Sequence, residues 1–494
     1  MFFTSTRKNC EITASAAIAK GISDDGGLFV PSEFPRLQPG ELEILAKLPY
    51  KDRAARILQK FLNDYSADEL KYCVEGAYEG RFDNNDPAPL KEIAPGINIL
   101  ELWHGPTCAF KDMALQILPY LLTVATRKNA PERTTVILVA TSGDTGKAAL
   151  EGFADVPGTK IIVFFPRDGV SDMQKLQMTT QKGANVAVCA IEGNFDDAQT
   201  GVKNIFADKA VAEYLAERNM EFSSANSINF GRLAPQIVYY ISSYCDLLKN
   251  GKISAGDAVN VAVPTGNFGN ILAAYYAKQM GLPVKRFICA SNRNNILSDF
   301  IATGIYDRNR QFYTTESPSM DILISSNLER LLYHLADQNC ELISKLMNDL
   351  KEQGKYTVPA GVFSKLKQEF YGGYCDDADA RQTIKNCFDK FHYLCDTHTA
   401  VAVNVCQRYI KDSGDTTPVI IASTASPYKF APAVLNALGG DGNDNDGFAV
   451  MEKLSAASDT PIPAPLNALR ESVVLHKNSI AKEDMAEFIK SVLA

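Results

Sequence analysis

The chain has 494 residues, 46% hydrophobic and 22% charged, with 50 basic and 58 acidic residues giving a net charge of −8. Such a length and composition suit a globular protein of two to four domains and exclude a disordered or fibrous chain. The mild acidity, with no long basic run, argues against a nucleic-acid partner but leaves small anionic ligands open, since those are held by local charge.

The opening MFFTSTRKNCEITAS shows no secretory apolar region. Gly26-Gly27 before Leu28-Phe29-Val30 and Pro31 reads as a turn and a short strand, and residues 41 to 80 read as helical. The polar stretch Arg81 to Pro89 is a candidate linker. Strand and helix patterns then alternate: strands at Val136–Ala140, Lys160–Phe165, Ala184–Ile191, Val259–Val263 and Val284–Ala290, helices from about Lys147 and Asn270, and helical spacing over Asp196–Asn219. This alternation predicts an α/β fold with largely parallel sheets, whose ligands bind beyond the carboxyl ends of the strands. From Ser325 to Tyr409 helix follows helix without clear strands, and Val419–Ala422 resumes the sheet pattern before an acidic loop, Gly439 to Gly447. Nowhere do about 20 apolar residues run together, so no membrane span is expected. The eleven cysteines contain no CxxC and the five histidines no HExxH, which predicts reduced thiols, a cytoplasmic protein and no metal site.

Five segments carry candidate chemistry. In HGPTCAFKD, Lys111 stands between a Gly-Pro turn and the apolar run MALQILPYLL. A lone lysine there reads far more readily as a surface charge. At a loop joined to a buried helix, however, desolvation lowers the amine's pKa, and a neutral amine forms an imine with an aldehyde. Gly266, Asn267, Phe268, Gly269 and Asn270 follow the strand VNVAV and open a helix; they are either a phosphate cradle of backbone N–H groups or a simple strand-to-helix turn. Thr141-Ser142-Gly143-Asp144-Thr145-Gly146-Lys147 has too short a spacing for a nucleotide P-loop, and reads as a carboxylate cradle or a capped helix start. In SANSINFGR, Arg232 has a fork suited to phosphate, although on spacing alone Asn226 and Asn229 read as turn or capping residues. Ser423-Thr424-Ala-Ser426-Pro-Tyr-Lys429 ends a strand and offers hydroxyls that suit a neutral ring nitrogen or an ordinary loop.

Taken together and in this order, HGPTCAFKD, ATSGDTGKAAL, SANSINFGR, PTGNFGN and STASPYKF resemble the threonine synthase family, pyridoxal-phosphate enzymes of fold type II, over essentially the whole chain. The opening STR and DDGGLFVP are similar to the family's start. The resemblance implies two open, largely parallel sheet domains with an N-terminal domain (1–90), a large cofactor domain (91–130, 221–324 and 415–494), a small α/β domain (131–220) and an inserted helical subdomain (325–414). It implies pyridoxal 5'-phosphate on Lys111, its phosphate held by Gly266 to Asn270, and its ring nitrogen met by Thr424. Asp144 would lie near the cofactor hydroxyl, and Ser142, Gly143 and Thr145 near the substrate carboxylate. Asn226, Ser227, Asn229, Arg232 and Lys429 would serve the substrate phosphate. The implied reaction turns O-phospho-L-homoserine and water into L-threonine and phosphate, in a monomer rather than a dimer. A serine or threonine dehydratase and a non-catalytic phosphate-binding regulator are the alternatives. Two departures stand out. Ser426 replaces a frequent histidine, which leaves residue 426 without a role, and Asp396-Thr-His398 replaces Asp-Pro-His, which is expected to affect only a helix start.

Overall fold

A computed structural model describes residues 1 to 494 apart from 84, 85, 142 and 169. The apolar runs become strands of two sheets. One has six strands in the order Phe370–Tyr374, Val284–Ser291, Val259–Pro264, Val419–Ser423, Ile97–Glu101 and Leu90–Ala94. Its neighbours are parallel except for the last pair, an antiparallel hairpin. Every residue of Val259–Pro264 and Val419–Ser423 is buried, the pattern of strands covered on both faces. The second sheet is parallel throughout, in the order Asn478–Ala481, Val186–Glu192, Thr159–Pro166, Thr134–Ala140 and Met220–Ser223.

Helix Phe230–Lys249 is apolar nearly all round, and it is buried from Phe230 to Tyr244, as expected of a helix enclosed by others. It packs on Glu41–Ala46, Tyr50–Phe61 and Gly269–Met280, so its first turn, which carries Arg232, is fixed by both the N-terminal helices and the large sheet's layer. The N-terminal unit is tied down by charge as well. Arg7 forks onto Glu329 at 2.9 and 2.7 Å, and the Thr6 hydroxyl donates to the same carboxylate at 2.5 Å.

The structure departs from the sequence reading in several places. The helix expected from Lys147 begins at Asp144, directly after Gly143 at φ 148°. The span Asp196–Asn219 is two helices, Phe195–Ala207 and Lys209–Ala216, separated by Asp208, which caps the second. The stretch read as purely helical contains Lys355–Thr357 and Phe370–Tyr374, and the latter is an edge strand of the large sheet. Its Gly372-Gly373 pair disguises it. A Cβ on Gly372 would sit 3.1 Å from Ser298 Cα and Ile301 Cβ, and one on Gly373 would sit 2.6 Å from Val405, so helices packed on both faces require glycine there. Finally, residues 478–494, grouped with the large domain by sequence, add strand Asn478–Ala481 to the small sheet and pack helix Met485–Leu493 on its outer face. That helix buries Met485, Ile489 and Leu493 at i, i+4 and i+8 spacing.

Candidate active site

Lys111 precedes the short helix Asp112–Leu115. The loop before it is stitched to the end of strand Val419–Ser423: Phe110 N donates to Thr424 O at 2.8 Å and Ser426 N to Cys108 O at 3.0 Å. Asp112 is fully buried and accepts from Thr107 N and Oγ1 at 2.8 and 2.7 Å. Burial pushes its carboxyl up to about 6 despite those bonds. Gly105 makes the turn possible, because a Cβ there would lie 2.5 Å from Asp112 Oδ2. The chain therefore aims one lysine from a rigid loop beyond a strand's carboxyl end.

The Lys111 side chain is 11% exposed, with Nζ 3.3 Å from Ser319 Oγ and 3.8 Å from Asp144 Oδ2. Burial lowers its pKa, and the nearby Lys429 and Arg232 charges reinforce that against the pull of Asp144 and Asp112. Burial alone would raise Asp144, but Lys429, 2.9 Å from its Oδ1, and Lys111 outweigh it and hold the carboxyl well below its ordinary range. Gln174 Nε2 also donates to Asp144 at 3.3 Å. A Cβ on Gly143 would lie 2.3 Å from that amide, so the left-handed glycine is required on two grounds. Thr145 is half-buried on the same helix's first turn, and Ser142 lies outside the described residues.

Across the site, strand Val259–Pro264 turns through Gly266, Asn267 and Phe268, the last at φ 64°, into helix Gly269–Met280. The loop's carbonyls point outward: Gly266 O accepts from Ser325 Oγ at 2.6 Å, and Asn267 O accepts from Asn327 N and Nδ2 at 3.0 and 3.1 Å. Among the described residues, nothing accepts from the backbone N–H groups of Gly266 to Asn270. Asn270 Oδ1 accepts from the Tyr240 hydroxyl, while its buried Nδ2 has no partner among the described residues. Gly266 is the tight position, since a Cβ there would lie 2.8 Å from Ser319 O; one on Gly269 would meet nothing nearer than Asn327 Nδ2 at 3.4 Å. Free N–H groups at a helix start, approached through glycine, fit a phosphate. The Thr424 hydroxyl, at the end of strand Val419–Ser423, also has no partner among the described residues.

Arg232 is 4% exposed. Its Nη1 donates to Ala225 O at 2.6 Å, its buried Nε has no partner, and among the described residues no carboxylate pairs with it. Burial lowers the guanidinium to about 10. Asn226 is exposed and Ser227 half-buried beside it in the chain. Two residues suggested for the same anion are already committed. Asn229 Nδ2 donates to Ile18 O and Ser224 O while its Oδ1 accepts from Gly231 N, which makes it a helix cap with nothing free for a ligand. Lys429 is held by Asp144, Thr107 O and Gln177, with Nζ 2.9 Å from each of the first two. Ser426 caps the turn Pro427–Phe430 by accepting from Tyr428 N. Sequence reasoning missed Ser319, Gln174 and Asn327. Each touches the site from a polar stretch with no periodic or glycine signature.

These features are matched by sequence. Residues 89–424 match the family described as pyridoxal-phosphate dependent enzyme. A buried amine of lowered pKa and an anion cradle of backbone N–H groups suit that cofactor, and the chain belongs to the pyridoxal-phosphate dependent enzyme family. Residues 2–78 match the threonine synthase N terminus and 399–473 the threonine synthase C-terminal region. Threonine synthase of Schizosaccharomyces pombe is 39% identical over 85% of this chain and 86% of its own. The chain belongs to the threonine synthase family. Human threonine synthase-like 1 is 44% identical over 88% of this chain, which spans only 60% of that protein's length. Among solved structures, pyridoxal-phosphate-bound threonine synthase from Brucella melitensis superimposes with a TM-score of 0.89 at 34% identity, covering 100% of this chain and 99% of that one. The yeast enzyme gives 0.89 at 33% identity, covering 100% and 98%.

The cradle yields a first prediction. Gly266→Ala should push Ser319 O and weaken cofactor affinity about tenfold, ~1.4 kcal/mol. Gly361→Ala, where a Cβ meets open space, should leave it unchanged. Fluorescence titration with pyridoxal phosphate checks both, and equal affinities would move the phosphate away from this loop.

Proposed function

We propose that the chain is a threonine synthase, a carbon–oxygen lyase converting O-phospho-L-homoserine and water to L-threonine and phosphate. The observation that carries this is a second anion position. The N–H groups of Gly266 to Asn270, without acceptors among the described residues, suit one phosphate, and Arg232, buried with no counter-ion among the described residues, is left over for another. An enzyme handling an unphosphorylated amino acid needs only the first. Sequence likeness to named threonine synthases over most of their length supports the same reading.

In this reading Lys111 would carry pyridoxal phosphate, Gly266 to Asn270 would hold its phosphate, Thr424 would serve its ring nitrogen and Asp144 its hydroxyl. When bound, the cofactor accepts the electron pair left at a substrate carbon that loses its proton. Lys111 would take the Cα proton, and its burial, which lowers the amine's pKa, favours the neutral form that can do so. Ser142, Gly143 and Thr145 hold the substrate carboxylate. Arg232, with Asn226 and Ser227, holds the γ-phosphate and draws it off after a Cβ proton is lost. Lys111 would pass the Cβ proton to Cγ, which becomes the methyl group once phosphate has left; water would then add at Cβ, and Lys111 would return a proton to Cα. Lys429 and Gln174 keep Asp144 ionised and in place, and Asn229 fixes the helix that presents Arg232.

Among the described residues no helix is long and apolar enough to cross a membrane, and we place the enzyme in the cytoplasm as a monomer. The domain division given above is kept, with 221–223 and 478–494 moved to the small domain because of their strands. The test compares phosphate release from O-phospho-L-homoserine with keto-acid formation from serine and threonine. Threonine and phosphate in equal amounts are expected. Preference for serine or threonine makes the protein a dehydratase, and no turnover of any of them leaves a regulator.

A further inference from the structure

The start of helix Thr397–Ser413 lies far from the glycine-rich loops in sequence, yet its side chains reach the site through one short turn, Pro318–Met320. Asp396 is completely buried and accepts from Thr399 N and His398 N at 3.0 and 2.9 Å, capping the helix. Its Oδ2 also lies 2.7 Å from His398 Nδ1. His398 is 2% exposed, and its Nε2 is 3.2 Å from the backbone N of Ser319. A backbone N–H can only donate, so Nε2 is the acceptor and the ring proton sits on Nδ1, facing Asp396. Phe430 packs against the ring with centroids 4.7 Å apart. The imidazole therefore has one orientation and one tautomer.

What it holds is the residue that touches both halves of the site. Ser319 Oγ lies 3.3 Å from Lys111 Nζ, and Ser319 O occupies the space behind Gly266 that a Cβ would need. Thr397 adds a second tether, its hydroxyl donating to Glu316 O at 2.7 Å. Proline at 397, frequent in the family, has no such hydroxyl. The departure at this position therefore reaches beyond a helix start.

We propose that Asp396, Thr397 and His398 form a positioning element: Asp396 orients His398, His398 and Thr397 hold the 316–320 segment, and Ser319 thereby sets the place of the Lys111 amine and braces the phosphate loop. This rests on the reading that Lys111 carries the cofactor. The charged groups around that amine, Asp144, Lys429, Arg232 and Asp112, are untouched by the substitutions below, so a change in its proton affinity reports the Ser319 contact.

The test uses the full chain loaded with pyridoxal phosphate. It reads the cofactor dissociation constant and the pH midpoint of the cofactor's absorption change, neither of which is turnover. His398→Leu removes the acceptor and should weaken cofactor binding about tenfold and shift the midpoint by roughly half a pH unit or more. His398→Gln restores an acceptor and should recover most of both. Ser319→Ala should shift the midpoint while leaving affinity within about threefold, since the carbonyl brace remains. Thr397→Pro should weaken affinity with a smaller midpoint shift. Wild-type affinity and midpoint in His398→Leu overturn the proposal. If His398→Leu does not fold, a wild-type midpoint in Ser319→Ala overturns it instead. Borohydride reduction of the wild type separates this from the wider reading: a tag off Lys111 sinks the reading itself, whereas a tag on Lys111 with unmoved variants sinks only the positioning element.

Discussion

Lys111→Ala is expected to lower threonine formation by on the order of 10⁴-fold or more, because one substitution removes both the cofactor attachment and the group that moves the Cα proton. The protein should still fold and still take up pyridoxal phosphate reversibly. The cradle of Gly266 to Asn270 makes its contacts through the main chain and does not depend on the lysine. Borohydride should then leave no covalent label, whereas the wild-type chain should be labelled at Lys111 alone. Label on another lysine, or turnover within tenfold of wild type, would move the chemistry elsewhere. The lowered pKa sharpens the expectation. Burial, with the Lys429 and Arg232 charges, disfavours the ammonium, so the neutral amine, and the rate with it, should rise with pH through a midpoint below that of an ordinary lysine.

Arg232→Ala should act differently. Cofactor binding and labelling should persist, while phosphate release falls by about 3 kcal/mol, on the order of a hundredfold, the usual loss when one charged stabiliser of a departing anion is removed. Arg232→Lys should recover only part of this, because an ammonium lacks the fork. Stability should move in the opposite direction. The guanidinium is buried, its Nε has no partner and no carboxylate balances it among the described residues. Arg232→Met should therefore melt at or above the wild-type temperature while inactive, as expected of a charge kept for a ligand and not for the fold. A sharp drop in melting temperature would make Arg232 a structural residue. Phosphate assay and calorimetry on the same preparations decide the matter.

The legible parts of the site share a local cause. Lys111 could be placed because a turn and an apolar helix flank it, and Gly266 to Asn270 because glycines follow a buried strand; both signals sit within a few residues. The strands at Val136–Ala140, Lys160–Phe165, Ala184–Ile191, Val259–Val263, Val284–Ala290 and Val419–Ala422 were legible for the same reason, whereas Leu90–Ala94, Ile97–Glu101 and Met220–Ser223 were not read. Beyond that, strand Phe370–Tyr374 was hidden by glycines whose purpose lies in helices at 296–303 and 397–413. Asn229 and Lys429 show the converse limit. Their residue types suit a phosphate, but whether an amide or ammonium is free depends on partners such as Ile18 and Thr107, distant in sequence. Ser319 carries no local pattern, and only the folded chain brings it beside Lys111, with His398 behind it.

The pairing of Asn478–Ala481 with Val186–Glu192 has a consequence for synthesis. Four strands of the small sheet emerge from the ribosome by residue 223, but the fifth follows only at 478. Through that interval the strand Val186–Glu192 keeps an open edge, with its main-chain donors and acceptors available to another nascent chain. Residues 478 to 481 are the ones that close it, so a message truncated after about residue 472 should give a protein that self-associates even though its catalytic lysine and both anion positions are already encoded.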